Sequence, residues 1–224
     1  ASDVYKRQIE IESKLTTTRV ICRATGSIII GLNIYFNLKL FSVKCTLLFN
    51  RRDNMNFIAA PMPANEIRRQ EAVERLKIKG TDQHDVMVVY SEMAQELTGF
   101  AAVAATLFDA DSQYSLASCN FPGNSGDKLM DRAESICSYT ILSNKPTLIP
   151  DTMSDQRTAG HPAVTSGMCK SYAGFPIINK DNYALGSFCL VHPEKKALTE
   201  QQIILIQKLV ARLAHQLDTQ SEQR

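Results

Sequence analysis

The stretch from Ala133 to Val191 constrains this chain most, because it commits the polypeptide to an antiparallel sheet. Its last third holds two apolar runs, Tyr172 to Ile178 and Leu185 to Val191, divided by the polar residues Asn179-Lys180-Asp181-Asn182. Short apolar runs bounded by turn residues read as strands, and so brief a connection returns the second beside the first. Gly174 allows close approach of backbone or ligand, and Gly186 lets another element pack closely on the sheet. Pro176 has no N–H for a ladder, which predicts an edge or bulged position. Upstream, Ala133 to Leu142 carries Ile136, Thr140 and Ile141 at helical spacing. Pro146 closes that segment by forcing its predecessor out of the α region, so Thr147-Leu148-Ile149 extends as a strand. A polar loop with a helical turn of its own fills the interval before Tyr172.

The chain ahead of this stretch predicts two helices and two strands. Asn65 stands where an N-cap belongs, and Glu66 to Leu76 then runs as a helix with Ile67, Val73 and Leu76 near one face. Its charged residues Arg68, Arg69, Glu71, Glu74 and Arg75 read as the solvated face, and Gly80 breaks the helix. Thr81 or Asp82 caps a second helix, Gln83 to Thr98, whose Val86, Val89, Met93, Ala94 and Leu97 recur at three and four as a core stripe. Gly99 ends it at the C′ position. Phe100 to Phe108, closed by Asp109-Ala110-Asp111-Ser112, reads as a strand, and the alternating Tyr114 to Cys119 pairs back with it. Asn120 to Gly126 is glycine-rich but has neither the lysine of a phosphate-binding loop nor a strand-to-helix context. It reads as a loop crossing one mouth of the sheet. At the other end, Thr199 as N-cap and Gln202 three residues later form a capping box. Ile203, Ile206, Leu209, Val210, Leu213 and Leu217 follow at helical spacing.

Charge is unevenly placed. Residues 1 to 54 hold nine Lys or Arg against four acids, and the remainder holds sixteen against nineteen. The globular part is therefore mildly acidic, which argues against a nucleic-acid-binding face. Cys22, Cys45, Cys119, Cys137, Cys169 and Cys189 are scattered without metal-site spacing, so no metal is expected. Free thiols fit a reduced cytoplasmic setting. Ser27 to Asn50 is long enough to span a bilayer, but Asn33, Asn37, Lys39 and Lys44 interrupt it, and a central lysine costs about 2.5–3.5 kcal/mol. A membrane span is not expected. The first 54 residues read as a leader foreign to the domain, with Met55 as its start; 55–64 is an extended linker, 65–217 the domain and 218–224 a polar tail.

Several separated pieces, in order and correctly spaced, resemble a GAF domain, the small-molecule-sensing module of signalling proteins. They are Ile136-Cys137-Ser138 with Ile141, Lys145-Pro146 before a strand, Asp151 with Asp155-Gln156-Arg157, Tyr172-Ala173-Gly174-Phe175-Pro176-Ile177, and Leu185-Gly186-Ser187-Phe188-Cys189-Leu190-Val191. The resemblance implies an α+β fold: a central antiparallel sheet of five or six strands, N- and C-terminal helices on one face, and pocket helices and loops on the other. It also implies a ligand cavity beneath the turn that begins at Cys137. Cys137, Ser138, Tyr139 and Thr140 group a thiol, two hydroxyls and a phenol suited to holding a small polar ligand inside an apolar pocket. Asp151, Asp155, His161 and Tyr172 complete the candidate ligand-binding set. The ligand's identity is not specified by these residues.

As a catalytic pair the carboxylates Asp151 and Asp155 are poor, since the neighbouring Arg157 holds them ionised. Bilin-binding relatives attach their chromophore through a cysteine usually followed by histidine, whereas Cys169 here precedes Lys170. The Asn-Lys-Phe-Asp-Glu signature of cyclic-nucleotide-binding relatives is not assembled, because Asn144-Lys145 runs straight into Pro146. The expectation is a non-catalytic regulatory domain that senses a small molecule and signals through a separate output protein or a homodimer formed by its terminal helices. One alternative is a free methionine sulfoxide reductase, for which Cys137 falls near one of that family's cysteines while His161 occupies the place of another. The other is a dimerising scaffold with a vestigial pocket.

Overall fold

Six strands form one antiparallel sheet in the order β3-β2-β1-β6-β5-β4 in the computed structural model, which describes residues 57–76 and 84–222. The strands are β1 (Ala102–Phe108), β2 (Ser112–Cys119), β3 (Lys128–Asp131), β4 (Thr147–Ile149), β5 (Ser171–Ile178) and β6 (Ala184–His192). The helices are α1 (Glu66–Arg75), α2 (His84–Thr98), α3 (Pro162–Thr165) and α4 (Glu200–Glu222), with 3-10 turns at Arg132–Glu134 and Ile136–Leu142. The expected leader, the apolar run 27–50, Met55, Gly80, the Thr81 or Asp82 cap and the Val86 side chain lie outside the described residues. Among the described residues no helix is long and apolar enough to cross a membrane.

Local chemistry sets the hairpins. Asp109 Oδ1 accepts from the amides of Asp111 at 3.0 Å and Ser112 at 2.7 Å, an Asx turn that reverses β1 into β2. Between β5 and β6, Asn182 takes φ +66°, a left-handed conformation asparagine tolerates, while Asn179 Oδ1 accepts from the Tyr183 amide. Pro176 fits because pairing with the three-residue β4 reaches only from Tyr172 to Gly174, leaving the proline beside no partner on that side. A bulge follows between Ile177 and Ile178. At Gly186 an added Cβ would lie 1.9 Å from the Thr106 carbonyl oxygen, so the close neighbour is the β1 backbone.

The two faces of the sheet carry separate apolar clusters. Val103, Ala105, Leu107, Phe175, Ile177, Phe188 and Leu190 meet the helices α1, α2 and α4. On α4 the expected stripe holds, with Ile206, Leu209, Val210, Leu213 and Leu217 buried. The capping box also forms: the Gln202 amide donates to Thr199 Oγ1 and the Thr199 amide to Gln202 Oε1. The helix runs on through Glu222, past Leu217. Gly99 caps α2 with φ +64°. The opposite face carries Ala104, Phe108, Tyr172 and Cys189 beneath the turn Ile136–Leu142 and α3.

One strand has no expectation behind it, and two expectations need correction. Residues 128–131 form a strand although only Leu129 and Met130 suggest one, because pairing with β2 supplies the order. Asn65 makes no side-chain cap; the first turn of α1 is held by Glu66 N–H to the Pro63 carbonyl and Arg69 N–H to the Asn65 carbonyl. The inward faces of both N-terminal helices are also rotated from the expected stripes. On α1, Ile67 is 79% exposed while Arg69 is fully buried, alongside buried Ala72 and Leu76 and half-buried Val73. A buried guanidinium must have its donors engaged, and Arg69 donates to the carbonyls of Phe108 at 2.8 Å, Leu185 and Asp109, and to the Glu66 carboxylate. On α2, Met87, Ser91, Ala94 and Thr98 face inward, and Val89, Met93 and Leu97 remain about half exposed. Ser91 and Ala94 let that part of the inner stripe approach the sheet closely, with Met87 buried beside them and Val89, Met93 and Leu97 left outside.

Candidate functional site

The turn Ile136–Leu142 packs over β5 and β6 and is built from its N-terminus inward. Ser135 Oγ accepts from the Cys137 amide at 3.1 Å and donates to Gln113 Oε1 on β2. Ser138 Oγ donates to the Arg132 carbonyl at 2.6 Å, tying the turn to the preceding elbow. Thr140 then faces down onto the sheet, its Oγ1 2.9 Å from the Tyr172 hydroxyl, which also lies 3.4 Å from Ser187 Oγ. Gly174 makes room for this pair: a Cβ there would stand 2.2 Å from Thr140 Oγ1 and 2.3 Å from the Tyr172 hydroxyl. Beneath the turn the Thr140 and Tyr172 side chains thus interlock over Gly174.

The candidate residues divide into groups. Cys137, Thr140 and Tyr172 come together in the buried cluster with Cys189 and Cys169. Tyr139 lies at the rim, where its hydroxyl donates to the Ile58 carbonyl at 2.6 Å and the Arg157 guanidinium sits 5.7 Å from its ring. His161 is buried nearby. Its Nδ1 accepts from the Ala163 amide, capping α3, and its Nε2 lies 2.9 Å from the Glu134 carbonyl. That pattern specifies the neutral Nε2–H tautomer, and burial holds the imidazole below its ordinary pKa despite the Glu134 bond. Phe57 meets the His161 ring edge-on at 4.8 Å, so residues 57–58 of the expected linker lie across this face.

The other candidates are engaged elsewhere. Asp155 pairs with Arg157, whose side chain and amide hydrogen-bond to it and hold the carboxyl below its usual range. Asp151 pairs with Lys195, not Arg157, and accepts from Ser154 Oγ at 2.7 Å. Ser138 is consumed by the Arg132 carbonyl. Sequence reasoning missed Gln113, Ser135, Ser187 and Cys189. The alternation of Ser187 and Cys189 with Phe188 and Leu190 was the available signal, since strand neighbours face opposite sides.

The Cys137 thiol is the focus of the cluster's electrostatics. Hydrogen bonding from the Cys189 thiol, and then from Tyr172 and Gln113, lowers its pKa against the effect of burial. The bond to Cys137, then burial, raises Cys189, and burial pushes Cys169 up to about 12. Burial, and then charge on Cys137, also raises the Tyr172 phenol. On the helix face a separate cavity of about 420 Å³ is lined by Gln70, Val73 and Glu74 of α1 with Leu107, Tyr114 and Leu116 of the sheet.

With sheet order and site in place, the comparison with known proteins is direct. The family described as GAF domain matches residues 81–218, more than half of the chain. The chain belongs to the GAF domain family. The GAF domain of an Acinetobacter phosphoenolpyruvate-protein phosphotransferase superposes with a TM-score of 0.52 at 14% identity, over 70% of this chain and 95% of that one. A GAF domain region from Geobacter sulfurreducens PCA gives 0.50 at 17% identity, over 66% and 99%. The chromophore-binding domain of the R. palustris bacteriophytochrome RpBphP3 gives 0.50 at 14% identity over 73% of this chain, which spans only 64% of that domain's length. At such identities the likeness is one of fold. None of the curated proteins compared with this chain matches it.

Proposed function

We propose that this GAF domain is a cytoplasmic regulatory module that senses a small polar molecule on the sheet face beneath the turn Ile136–Leu142. The observation that carries the reading is the Thr140–Tyr172–Ser187 set of buried hydroxyls inside an otherwise apolar cluster. A neutral buried hydrogen bond contributes only about 1 kcal/mol net, so a ligand that offers equivalent bonds can separate Thr140 from Tyr172 at little cost. Cys137, Thr140 and Tyr172 would contact it, with Tyr139 and His161 at the rim and residues 57–58 lifting to admit it. Ser138, Asp151 and Asp155 would shape the surrounding loops. Signalling requires that the ligand distinguish two arrangements of the domain, because equal affinity shifts no equilibrium.

The test is thermal-shift screening with nucleotides, amino acids and tetrapyrroles. A ligand present at about one hundred times its Kd adds about 2.7 kcal/mol of stability, and Tyr172→Phe with Thr140→Val should abolish the shift. A set of ligands that stabilises wild type and double variant alike would refute the reading.

A second reading is favoured by the α2 stripe of Val89, Met93 and Leu97, each about half exposed and spaced four residues apart. Such a stripe suits association with a second copy through the terminal helices. Light scattering of the wild type and of Val89→Lys/Met93→Glu separates the cases: a dimer dissociated by the double substitution supports it, and a wild-type monomer at high concentration removes it. Neither reading requires turnover.

A further inference from the structure

Three of the four cysteines among the described residues, Cys137, Cys169 and Cys189, converge in the cluster beneath the 3-10 turn. Cys137 opens that turn, and Cys189 lies on β6, where it pairs across the ladder with Gly174 on one side and Ala104 on the other. The turn sits directly over this point of the sheet, because Thr140 fills the space that Gly174 leaves. Cys137 stands one 3-10 turn ahead of Thr140, so it and Cys189 pack into the same buried cluster beside Gly174. Cys169 makes a different contact, donating to the Ser171 carbonyl at 3.6 Å. Hydrogen bonding among the hydroxyls of this cluster does not account for a thiol pair at its centre.

We infer that Cys137 and Cys189 form a peroxide-responsive dithiol, in which Cys137 is the attacking sulfur and Cys189 the resolving one. Neighbouring donors support the role of Cys137, since a thiolate is the nucleophile and is favoured where hydrogen bonds stabilise it. Cys169, held up to about 12, is a bystander. Access selects the oxidant. Cys137 is 7% exposed and Cys189 1%, so hydrogen peroxide, similar in size to water, is the oxidant class that fits.

The chemistry is a two-step, two-electron oxidation. Cys137 Sγ as thiolate attacks one peroxide oxygen; the O–O bond breaks, the departing hydroxide takes a proton and leaves as water, and Cys137 becomes a sulfenic acid. Cys189 Sγ then attacks the Cys137 sulfur. The S–O bond breaks, the leaving hydroxide takes the Cys189 proton to give a second water, and an S–S bond joins the turn to β6. A dithiol reductant reverses it. Because Ser138 of the same turn bonds the Arg132 carbonyl, and Arg132 pairs with Glu66 at the start of α1, the linkage would be felt on the helix face. The inference shares Cys137 with the small-molecule reading, but its test reads thiol chemistry alone and can fail separately.

The test uses the folded full chain, treated with hydrogen peroxide and mapped with trypsin without reduction. Cys137, Cys169 and Cys189 fall in the separate peptides 133–157, 158–170 and 181–195. The expected result is a cross-link between 133–157 and 181–195, with the Cys137 thiol lost at least about tenfold faster than that of Cys169. Cys189→Ser should abolish the cross-link and leave Cys137 as a sulfenic acid, trapped by dimedone once the oxidised protein is unfolded in urea, and Cys169→Ser should change neither. A cross-link to 158–170, oxidation that occurs only in urea, or unchanged thiols in the folded wild type would each overturn the proposal. The wild-type map decides it even where a variant fails to fold.

Discussion

Gly174 shows how one missing side chain shapes the site. Its vacant Cβ position is taken by the Thr140–Tyr172 hydroxyl pair, so Gly174→Ala forces both hydroxyls aside in a region already packed. Overpacking of this kind costs about 1–3 kcal/mol, and urea denaturation should show the loss, while near-native stability would mean that the turn shifts freely. His161 makes a second prediction at this scale. Burial depresses its folded-state pKa below the ordinary 6.5, so the folded protein resists the proton that the unfolded chain accepts. Its contribution is therefore complete above about pH 6.5 and is lost as pH falls from there toward the depressed folded value, with a slope of at most about 1.4 kcal/mol per pH unit. His161→Gln should flatten the urea midpoint between pH 7 and 5.5; an unchanged slope would assign the pH dependence to another group.

Among elements, α4 was the most legible and α2 the least. The α4 start rests on two reciprocal bonds between Thr199 and Gln202, and its apolar stripe has one phase only. Thr199→Ala should cost about 1 kcal/mol and shift the thermal midpoint; no shift would show that burial of Ile206 and Leu209 alone fixes the start. For α2 the apolar residues occur on two sides of the helix. Periodicity locates a stripe, but it does not say which of two stripes meets the sheet, and here the small residues Ser91 and Ala94 were chosen. The strand β3 lacked its own signal for a related reason: two half-exposed residues, Leu129 and Met130, between the exposed Lys128 and Asp131 are ordered by their ladder with β2.

At the scale of the whole molecule, one buried ionic cluster clasps the two sides of the sheet. Glu66 on α1 accepts from Arg69 and from Arg132, which lies in the elbow before the Cys137 turn. Burial alone would raise the Glu66 pKa, but hydrogen bonds from Arg69, Arg132 and Gln70 outweigh it and lower the value from 4.5 to about 2. The linkage sign follows: this stability is present above about pH 4.5, is lost as pH falls toward 2, and is worth at most about 3 kcal/mol, less what solvent screens at the partly exposed Glu66. Glu66→Gln should forfeit about 3–5 kcal/mol at neutral pH by leaving buried guanidinium charge uncompensated, and it should remove the acid limb between pH 4.5 and 2. An unaltered acid limb would show that the clasp is not what acid breaks. The antiparallel β5–β6 hairpin, the capped C-terminal helix and the family were legible in the chain, since turn residues, caps and apolar period act between near neighbours. The burial of Arg69, the pairing of Asp151 with Lys195 and the gathering of Cys137, Tyr172 and Cys189 in one cluster came from the folded arrangement. Those outcomes depend on which distant groups satisfy a buried donor or thiol, a condition set by packing across the sheet.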